Sequence, residues 1–388
     1  MEHFDYIIAG AGCAGRSLAV HLIHARKLAG KKVLLVDDIE GREHHQHWCF
    51  WEKDPGLFDE IVSHYWAKLS FTGSEGQQVL DIAPYHYKMI AADRFYDYTQ
   101  KLITAAPNVT IRKGLIGKVF NSRGKSAVIV DGQRFTAEYV FRSGQPPVAP
   151  GAVQSNLIRS FKSWQVETVT PCFDPDMATL MDFKAVSMDD SGFFYTLPYS
   201  STRAVVTYTL IAPEIPDQGM YDMVLQRYMR QQLQCSLYNI SYTETGHIPL
   251  YEYARNSIDD RIIYLGTGAY DIKASGGHAF RFIQRHAQHI AQRLLDGEHP
   301  ATGGIRFDRF GFYDSIFLRL LALPAVSLKG LFSRLFQRNS PATILKFLDH
   351  ETSCWEELRI FTTLHKRAFA TEIFRKLKGQ ISSTAKSF

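Results

Sequence analysis

The spacing of hydrophobic and polar positions changes several times along the chain, and each change predicts a different element. Near the start, the apolar run Asp5–Ala9 predicts a buried strand, which a glycine-rich turn follows. Helical spacing then continues to about Ala29, and the β-branched run Lys32–Asp37 predicts a second strand. These elements predict one βαβ unit of about 30 residues. Alternation over residues 66–87 is typical of antiparallel strands, and helical spacing returns over 92–106.

The middle of the chain is rich in short apolar runs, and the end is rich in helical spacing. The predicted strands are Val109–Lys113, Ala127–Val130, Tyr139–Phe141, Phe193–Leu197, Ala204–Leu210 and Arg261–Leu265. Helices are predicted over 221–234 and from about Gly277 to Leu295, and the last 80 or so residues are predicted to be helical with breaks at Pro324 and Pro341. Alternating strands and helices on both sides of a β-rich middle predict an α/β nucleotide-binding core with an inserted sheet for substrate.

Composition and charge narrow the class of protein. Of 388 residues, 45% are hydrophobic and 21% are charged, which excludes wholesale disorder. The net charge of +5 is too small and too dispersed to indicate a nucleic-acid partner, although it suits contact with anionic lipid. Five scattered cysteines predict neither a disulfide framework nor a zinc site. With no signal peptide and no long apolar run, we expect a cytoplasmic protein that is either soluble or associated with the inner face of the membrane.

The first glycine-rich turn has the spacing of a dinucleotide-binding loop. Gly10 allows a tight turn, Gly12 lets a pyrophosphate approach the backbone, and Gly15 permits close packing of the helix on the strand. Asp37 ends the next strand, where a carboxylate can bind the hydroxyl groups of a ribose. The alternative is a glycine turn that binds nothing. The predicted cofactor contacts in this part of the chain are Gly10, Ala11, Gly12, Cys13, Ala14, Gly15, Asp37 and Ile116.

A second glycine-rich turn late in the chain favours FAD over NAD. Gly266 and Gly268 follow a predicted strand, and Gly276 and Gly277 precede a predicted helix. Two-domain flavoproteins need such a second loop against the flavin, whereas a one-domain NAD protein does not. The N-terminus of the helix can direct its amide groups at the flavin ring and favour an anionic reduced flavin. We therefore add these four glycines to the predicted cofactor contacts.

Longer motifs resemble the bacterial lycopene cyclases, which are related to flavoproteins of the p-hydroxybenzoate hydroxylase type. These motifs lie at 10–15, Trp48–Glu52, Pro84–Ile90, Met181–Phe183, Tyr195–Ser200, Lys273–Gln284, Arg309–Asp314 and Lys346–Ser353. The resemblance covers nearly the whole chain. It implies a two-domain flavoprotein in which reduced FAD, with NAD(P)H as an electron donor, supports acid-catalysed cyclisation of a polyene end group without net redox change.

The resemblance also implies an arrangement of domains and a lipophilic polyene substrate. We expect the FAD-binding core at 1–65, 88–150 and 255–300, the β-rich substrate-binding domain at 66–87 and 151–254, and a helical C-terminal region at 301–388. Aromatic faces stabilise a carbocation, so Trp48, Trp51 and Tyr195 are predicted to contact substrate, although single aromatic residues more often belong to the core.

One position departs from the family where the chemistry needs an acid. Family members carry a carboxylate on the strand after the Leu-Pro turn, but Thr207 occupies that place. A threonine hydroxyl is too weak an acid to protonate an alkene, so Thr207 becomes a candidate substrate contact. The candidate replacement acids are Asp271, Asp182, Glu244 and His278, each with a structural hydrogen bond or ion pair as the alternative.

Two further features have competing explanations. His44, His45 and His47 lie in a polar stretch without the spacing of zinc ligands, so we predict no metal site. The stretch Phe317–Phe336 mixes apolar and basic residues, which fits either a helix on a membrane surface or a helix packed against a sheet. Beyond a cyclase or isomerase, the sequence leaves open a redox flavoenzyme such as a monooxygenase or desaturase, and a non-catalytic protein that binds flavin or polyene.

Overall fold

The computed structural model describes residues 2–25, 30–37, 46–122, 124–144, 153–184, 191–252, 261–269, 271–273, 276–301, 309–323 and 326–364. Its contacts divide the chain into two compact units, each assembled from three segments. Unit 1 comprises Met1–Phe50, Ile90–Ala152 and Tyr253–Phe307, and unit 2 comprises Trp51–Met89, Val153–Glu252 and Asp308–Phe388. Residues 51–65 therefore cluster with unit 2, as do the C-terminal helices.

The strands and helices have the following bounds. The strands are β1 (Glu2–Ala9), β2 (Val33–Asp37), β3 (His47–Glu52), β4 (His64–Trp66), β5 (Lys68–Gly73), β6 (Gly76–Asp81), β7 (His86–Ala91), β8 (Val109–Lys113), β9 (Ile116–Ser122), β10 (Lys125–Val130), β11 (Gln133–Ser143), β12 (Val153–Thr168), β13 (Met177–Asp182), β14 (Gly192–Pro198), β15 (Arg203–Ala212), β16 (Tyr238–Glu252) and β17 (Ile262–Leu265). The α-helices are α1 (Cys13–His24), α2 (Ala92–Ala105), α3 (Gln218–Gln231), α4 (Phe280–Leu295), α5 (Arg309–Leu321), α6 (Leu328–Arg338), α7 (Pro341–Leu348) and α8 (Cys354–Thr363).

Unit 1 contains a seven-stranded sheet whose central strands are parallel. The strand order is β8-β2-β1-β11-β10-β9, and β17 also pairs with β11. β1 lies parallel to β2 and β11, whereas β10 is antiparallel to both of its neighbours. Ile7 and Ile8 are both fully buried, because a parallel strand with covered faces buries consecutive side chains. Helices α1 and α4 pack together over one apolar cluster of this sheet, so the predicted βαβ unit is present.

Unit 2 contains a second seven-stranded sheet, and it is mostly antiparallel. Its order is β16-β12-β15-β14-β13-β5-β6, with only β13 and β5 parallel. One face packs on α3 through a cluster that includes Trp164, Phe194 and Tyr208. Helix α5 packs against β12 and β16, and α6 packs against β5. A smaller sheet has the order β3-β7-β4.

Several predicted boundaries shift because of local backbone chemistry. Helix α4 begins at Phe280 rather than near Gly277, since Gly277 has a φ of 72°, which is outside helical conformation. Helix α3 begins three residues earlier than predicted, because the Asp217 side chain accepts a hydrogen bond from the Gly219 amide and caps it. Pro341 starts α7 behind the capping residue Ser340, as a helix break there requires. The break predicted at Pro324 lies outside the described residues.

Core packing accounts for the amphipathic spacing of α6. Leu328, Leu331, Phe332, Leu335 and Phe336 are all buried in unit 2, whereas its basic side chains at 334 and 338 are exposed. The apolar face of this helix is therefore covered by the protein itself. In the part of the chain that the structure describes, no helix combines the length and the hydropathy needed to cross a bilayer.

Candidate functional site

The first glycine loop joins β1 to α1 at the carboxyl edge of the unit 1 sheet. Gly10 has a φ of 111°, which favours glycine. A Cβ atom on Gly15 would lie 1.9 Å from the carbonyl oxygen of Gly10, so only glycine lets α1 approach the turn this closely. A Cβ on Gly12 would meet nothing within 4 Å. Gly12 is the N-cap residue of α1 and makes no side-chain capping bond, and the first turn of α1 contains no acidic residue. The N-terminus of α1 can therefore bind an anion through its backbone amides.

The remaining predicted contacts of this loop surround it. Ala11 and Ala14 are buried in the cluster beneath α1, and Cys13 packs against that cluster. Ile116 packs against the cluster on the other face of the sheet, which contains Ala9 and Val36 at the ends of β1 and β2. The structure thus brings these positions to the carboxyl edge of β1 and β2, where nucleotides bind in open α/β sheets.

Arg16 links the glycine loop to the predicted ribose-binding acid. Its Nε donates to the carbonyl oxygen of Ala11 at 2.9 Å, and its Nη2 lies 3.7 Å from Asp37 Oδ2. Its Nη1 donates to Gln100, and its guanidinium lies 5.2 Å from the centre of the Tyr96 ring. Burial lowers the pKa of Arg16, and the Asp37 carboxylate opposes that shift. This role of Arg16 has no signal in a single sequence, because its partners come from two other segments.

The second glycine loop is held closed by Asp271. Gly266 has a φ of 64°, and a Cβ on Gly268 would lie 2.1 Å from the carbonyl oxygen of Gly144. Asp271 Oδ2 accepts from the Gly266 amide and lies 2.8 Å from His286 Nδ1, while the Asp271 amide donates to the Gly266 carbonyl. The structure therefore gives Asp271 a positioning role in this loop. His286 escaped sequence reasoning because it lies 15 residues away on α4.

Replacing Asp271 by alanine is expected to weaken FAD binding about tenfold, about 1.4 kcal/mol, because the carboxylate contacts with the Gly266 amide and with His286 are lost while the backbone bond remains. Fluorescence titration of the apoprotein with FAD measures this change. Asp296→Ala is the matched control, since within the described residues this exposed carboxylate at the end of α4 accepts hydrogen bonds only from the Gln292 side chain. Unchanged FAD affinity together with lost turnover would assign Asp271 to proton transfer instead.

The predicted contacts before α4 form one tight turn. The Lys273 carbonyl accepts from the amides of Gly276 and Gly277, and the Lys273 amide donates to the carbonyl of His278. Ala279 then provides the N-cap position of α4 without a side-chain bond. Helix α4 therefore begins directly after this turn, at Phe280. His278 is half-buried beside Gly276, with its Nε2 3.4 Å from the position of a Gly276 Cβ.

The two tryptophans predicted to contact substrate belong to different units. In unit 1, Trp48 packs against Phe95, Tyr96 and Phe280, the last at 5.9 Å between ring centres. In unit 2, Trp51 is 3% exposed and its Nε1 donates to the carbonyl of Leu345 at 3.1 Å. Trp51 therefore packs in the core of unit 2, with its only polar atom used.

Four side chains form a row across the unit 2 sheet. Register places Tyr195 of β14 opposite Thr207 of β15, Thr207 opposite Ser163 of β12, and Ser163 opposite Glu244 of β16. The hydroxyl oxygens of Ser163 and Thr207 are 2.7 Å apart. Sequence analysis named three of these residues but missed Ser163, because the pairing of distant strands has no signal in a single sequence.

Aromatic side chains lie next to this row on the same face of the sheet. Residues two positions apart on a strand share a face, so Phe193 accompanies Tyr195, and their rings are 5.1 Å apart in an edge-to-face arrangement. Phe183 lies 5.5 Å from Phe193. The Arg159 guanidinium lies 6.0 Å from the Tyr195 ring centre, at the far end of the row from Glu244. Ring faces near a reacting centre stabilise positive charge.

Glu244 is the member of the row that can carry an acidic proton. It is half-buried, and among the described residues its side chain has no hydrogen bond or ion pair. Burial raises the pKa of its carboxyl above the ordinary value of glutamate, because the charged form loses hydration. A carboxyl in such surroundings favours the protonated form, which general acid catalysis requires.

Asp182 lies on the opposite face of the same sheet. Register pairs it with Phe194, whose ring stacks on Tyr228 of α3 at 3.8 Å. The Tyr228 hydroxyl donates to Asp182 Oδ2 at 3.1 Å, and the Lys184 amide donates to Oδ1. Burial, with Asp182 nearby, raises the pKa of Tyr228. The structure thus gives Asp182 a structural hydrogen-bond role beneath α3 and separates it from Thr207 by the thickness of the sheet.

The lycopene cyclase protein family has a model that matches residues 5–374. The chain belongs to the lycopene cyclase family. Among individually curated proteins, no sequence gives a significant match.

The fold of this chain is also similar to that of several solved structures of low sequence identity. A geranylgeranyl bacteriochlorophyll reductase-like protein from Thermoplasma acidophilum is similar with a TM-score of 0.71 at 14% identity, covering 96% of this chain and 98% of that one. A flavoprotein/dehydrogenase from Cytophaga hutchinsonii gives a TM-score of 0.62 at 11% identity, covering 93% and 99%. HpxO from Klebsiella pneumoniae, solved with FAD and uric acid, gives 0.61 at 12% identity, covering 90% and 96%. The predicted fold class, that of a two-domain flavoprotein with an inserted antiparallel sheet, is confirmed.

Two of the histidines considered as metal ligands, His44 and His45, lie outside the described residues. His47 begins β3 in unit 1 and is half-buried. Within the described ranges, no group of three or more His, Cys, Asp or Glu side chains is arranged to hold a metal ion.

Proposed function

We propose that this protein binds FAD in unit 1 and catalyses acid-initiated cyclisation or isomerisation of a polyene end group, without net redox change. Membership of the lycopene cyclase family supports this reaction class. The protonatable Glu244 carboxyl in the same row as Thr207 carries the proposal, because it supplies the acid that the substitution at Thr207 removes.

The residues of unit 1 fit FAD. The open space over Gly12 and the uncapped start of α1 would hold the pyrophosphate, and Asp37 would bind the ribose. The closed loop at Gly266 and the start of α4 would lie against the flavin. When bound in reduced form, FAD supplies negative charge that stabilises a nearby cation.

In unit 2, different residues in and beside the row would act on the polyene at different steps of the reaction. The acid delivers a proton to an alkene carbon, and the rings of Tyr195, Phe193 and Phe183 stabilise the positive charge that results. The ring then closes and a proton leaves a neighbouring carbon, so that the substrate keeps its mass. The apolar rings exclude water, which would otherwise trap the cation.

Anaerobic incubation with chemically reduced FAD and candidate polyenes tests this proposal. We expect a cyclised product of unchanged mass, formed over many turnovers without consumption of reductant. NAD(P)H would serve only to keep FAD reduced. A product of altered mass with stoichiometric NAD(P)H or O₂ uptake would replace the proposal by a redox reaction. Pigment binding without any product would replace it by a binding function.

Because the proposed substrate is lipophilic, we also propose that the protein contacts a membrane surface. On α8, Trp355 is 83% exposed and Leu358 is 55% exposed, with the exposed Arg359 beside them. Tryptophan and basic side chains favour anionic interfaces. Flotation of the protein with anionic vesicles is expected and should fall at least severalfold in Trp355→Ala; equal flotation of both proteins would contradict contact through α8.

A further inference from the structure

We propose that Thr207 is the last hydroxyl of a proton relay that starts at Glu244 and passes through Ser163. In this relay Thr207 donates to the substrate, Ser163 transmits the proton, and Glu244 is the proton source. The inference rests on the proposed function, since it assigns the path of the proton in that reaction.

Strand spacing makes a direct transfer from Glu244 to the usual position of the acid impossible. Glu244 lies on β16, Ser163 on β12 and Thr207 on β15, in three adjacent strands. Neighbouring strands are about 4.8 Å apart, so Glu244 and Thr207 are separated by roughly 10 Å of sheet. A proton therefore needs a carrier between them.

Ser163 provides that carrier because it lies directly between the other two. Facing side chains on neighbouring strands have Cβ atoms about 5 Å apart, within reach of a hydroxyl and a carboxyl. The Ser163 and Thr207 oxygens are already 2.7 Å apart, a normal distance for hydrogen-bonded hydroxyls. Each hydroxyl has one donor and two acceptor lone pairs, so each can accept a proton on one side while it gives one on the other.

Ser163 is the most buried of the three residues in the relay. Ser163 is 8% exposed, whereas Thr207 and Glu244 are half-buried. Among the described residues only the Ser163–Thr207 link is formed, so the relay requires the Glu244 carboxyl to turn toward Ser163 before the proton passes. When Ser163 donates to Thr207, its lone pairs are left for Glu244, and the Thr207 hydrogen is free to turn toward the aromatic face of Phe193 and Tyr195.

The step balances without an external reactant. In one concerted transfer, the Glu244 carboxyl gives its proton to the Ser163 oxygen while Ser163 gives its own to Thr207 and Thr207 gives its own to the alkene carbon. The carboxyl is therefore the acid, and the weakly acidic Thr207 hydroxyl only passes the proton on. The π electrons form the new C–H bond, leaving a carbocation and the Glu244 carboxylate. The neighbouring double bond then attacks the cation and closes the ring. Loss of a proton from the adjacent carbon forms the final double bond, and a proton returning along the two hydroxyls restores Glu244.

Three variants test the relay in the full FAD-loaded enzyme. Glu244→Gln removes the acidic proton at constant size, and Thr207→Val removes the terminal hydroxyl at nearly constant shape. Each should lower the cyclisation rate about 100-fold, the usual contribution of a general acid. Thr207→Ser restores a hydroxyl and should stay within about fivefold of wild type. Glu167→Gln is the matched control, because Glu167 is an exposed carboxylate on β12 that pairs with Arg203.

The outcomes separate the relay from the function itself. If the wild-type enzyme cyclises the substrate and either Glu244→Gln or Thr207→Val leaves the rate unchanged, the relay is overturned and the proposed function is retained. Absence of cyclisation by the wild-type enzyme overturns the proposed function. Infrared difference spectra of wild type against Glu244→Gln test the relay without substrate, because they isolate the carbonyl stretch of the protonated carboxyl. Ser163→Ala should shift that band by removing its hydroxyl neighbour; an unshifted band would also overturn the relay.

Discussion

Replacing Gly15 by alanine is expected to abolish FAD binding and to destabilise unit 1. The added methyl group would lie 1.9 Å from the carbonyl oxygen of Gly10, a backbone atom that cannot rotate away. Relief requires α1 to move off β1, which disrupts the buried cluster that α1 shares with α4 and displaces the amides that would bind the pyrophosphate. Loss of two or more kcal/mol of stability, about 30-fold in the folding equilibrium, is the expected order of magnitude. Thermal unfolding of the apoprotein and FAD titration measure the two effects.

Alanine variants of two other glycines distinguish the loss of stability from the loss of FAD binding. Gly12→Ala adds a methyl group that meets nothing in the protein, so the apoprotein should keep its unfolding temperature while FAD binding falls, because the methyl group occupies the space left for the pyrophosphate. Gly30→Ala also meets nothing and lies away from the loop in sequence, so both measurements should remain at wild-type values. If Gly15→Ala bound FAD normally at an unchanged unfolding temperature, the close approach of α1 to the turn would be refuted.

Local patterns were sufficient to predict the nucleotide-binding half of the fold. The βαβ unit depends on contiguous signals: an apolar strand, glycines at fixed spacing and a second strand. The strand Val109–Lys113 was likewise predicted with the bounds it has in the structure. Where a boundary depended on the conformation of one residue, such as the positive φ of Gly277, periodicity alone placed it wrongly.

The candidate site could be predicted only in part, because its geometry depends on contacts between distant segments. The sequence named Asp182, Glu244 and Asp271 as equivalent candidate acids. Register then placed Asp182 on the α3 face of the sheet and Glu244 on the opposite face, in the row with Thr207. Asp271 closes a loop with a histidine from another element. A one-residue change in register would reverse these faces, and a single sequence carries no information about register over such distances.

A glutamate introduced at Thr207 is expected to restore cyclisation to the Glu244→Gln variant. The new carboxyl would stand at the substrate end of the relay, so the proton would no longer have to cross Ser163. We expect the Thr207→Glu, Glu244→Gln double variant to cyclise the substrate at least tenfold faster than Glu244→Gln, since a directly placed acid supplies most of a general acid's contribution. The measurement is product formation under reduced FAD at equal flavin occupancy.

Folding does not confound this comparison. Because burial raises the pKa of Glu244 in the folded state, the unfolded chain binds fewer protons between the two pKa values, so the wild-type protein loses stability as pH rises through the raised pKa. Glu244→Gln removes that loss, and its unfolding temperature at neutral pH should equal or exceed that of wild type. The control for the double variant is Thr207→Gln with Glu244→Gln, which has the same size but no acid and should stay inactive. Equal activity of the two double variants would show that the position needs only volume, and the acid would then have to lie elsewhere.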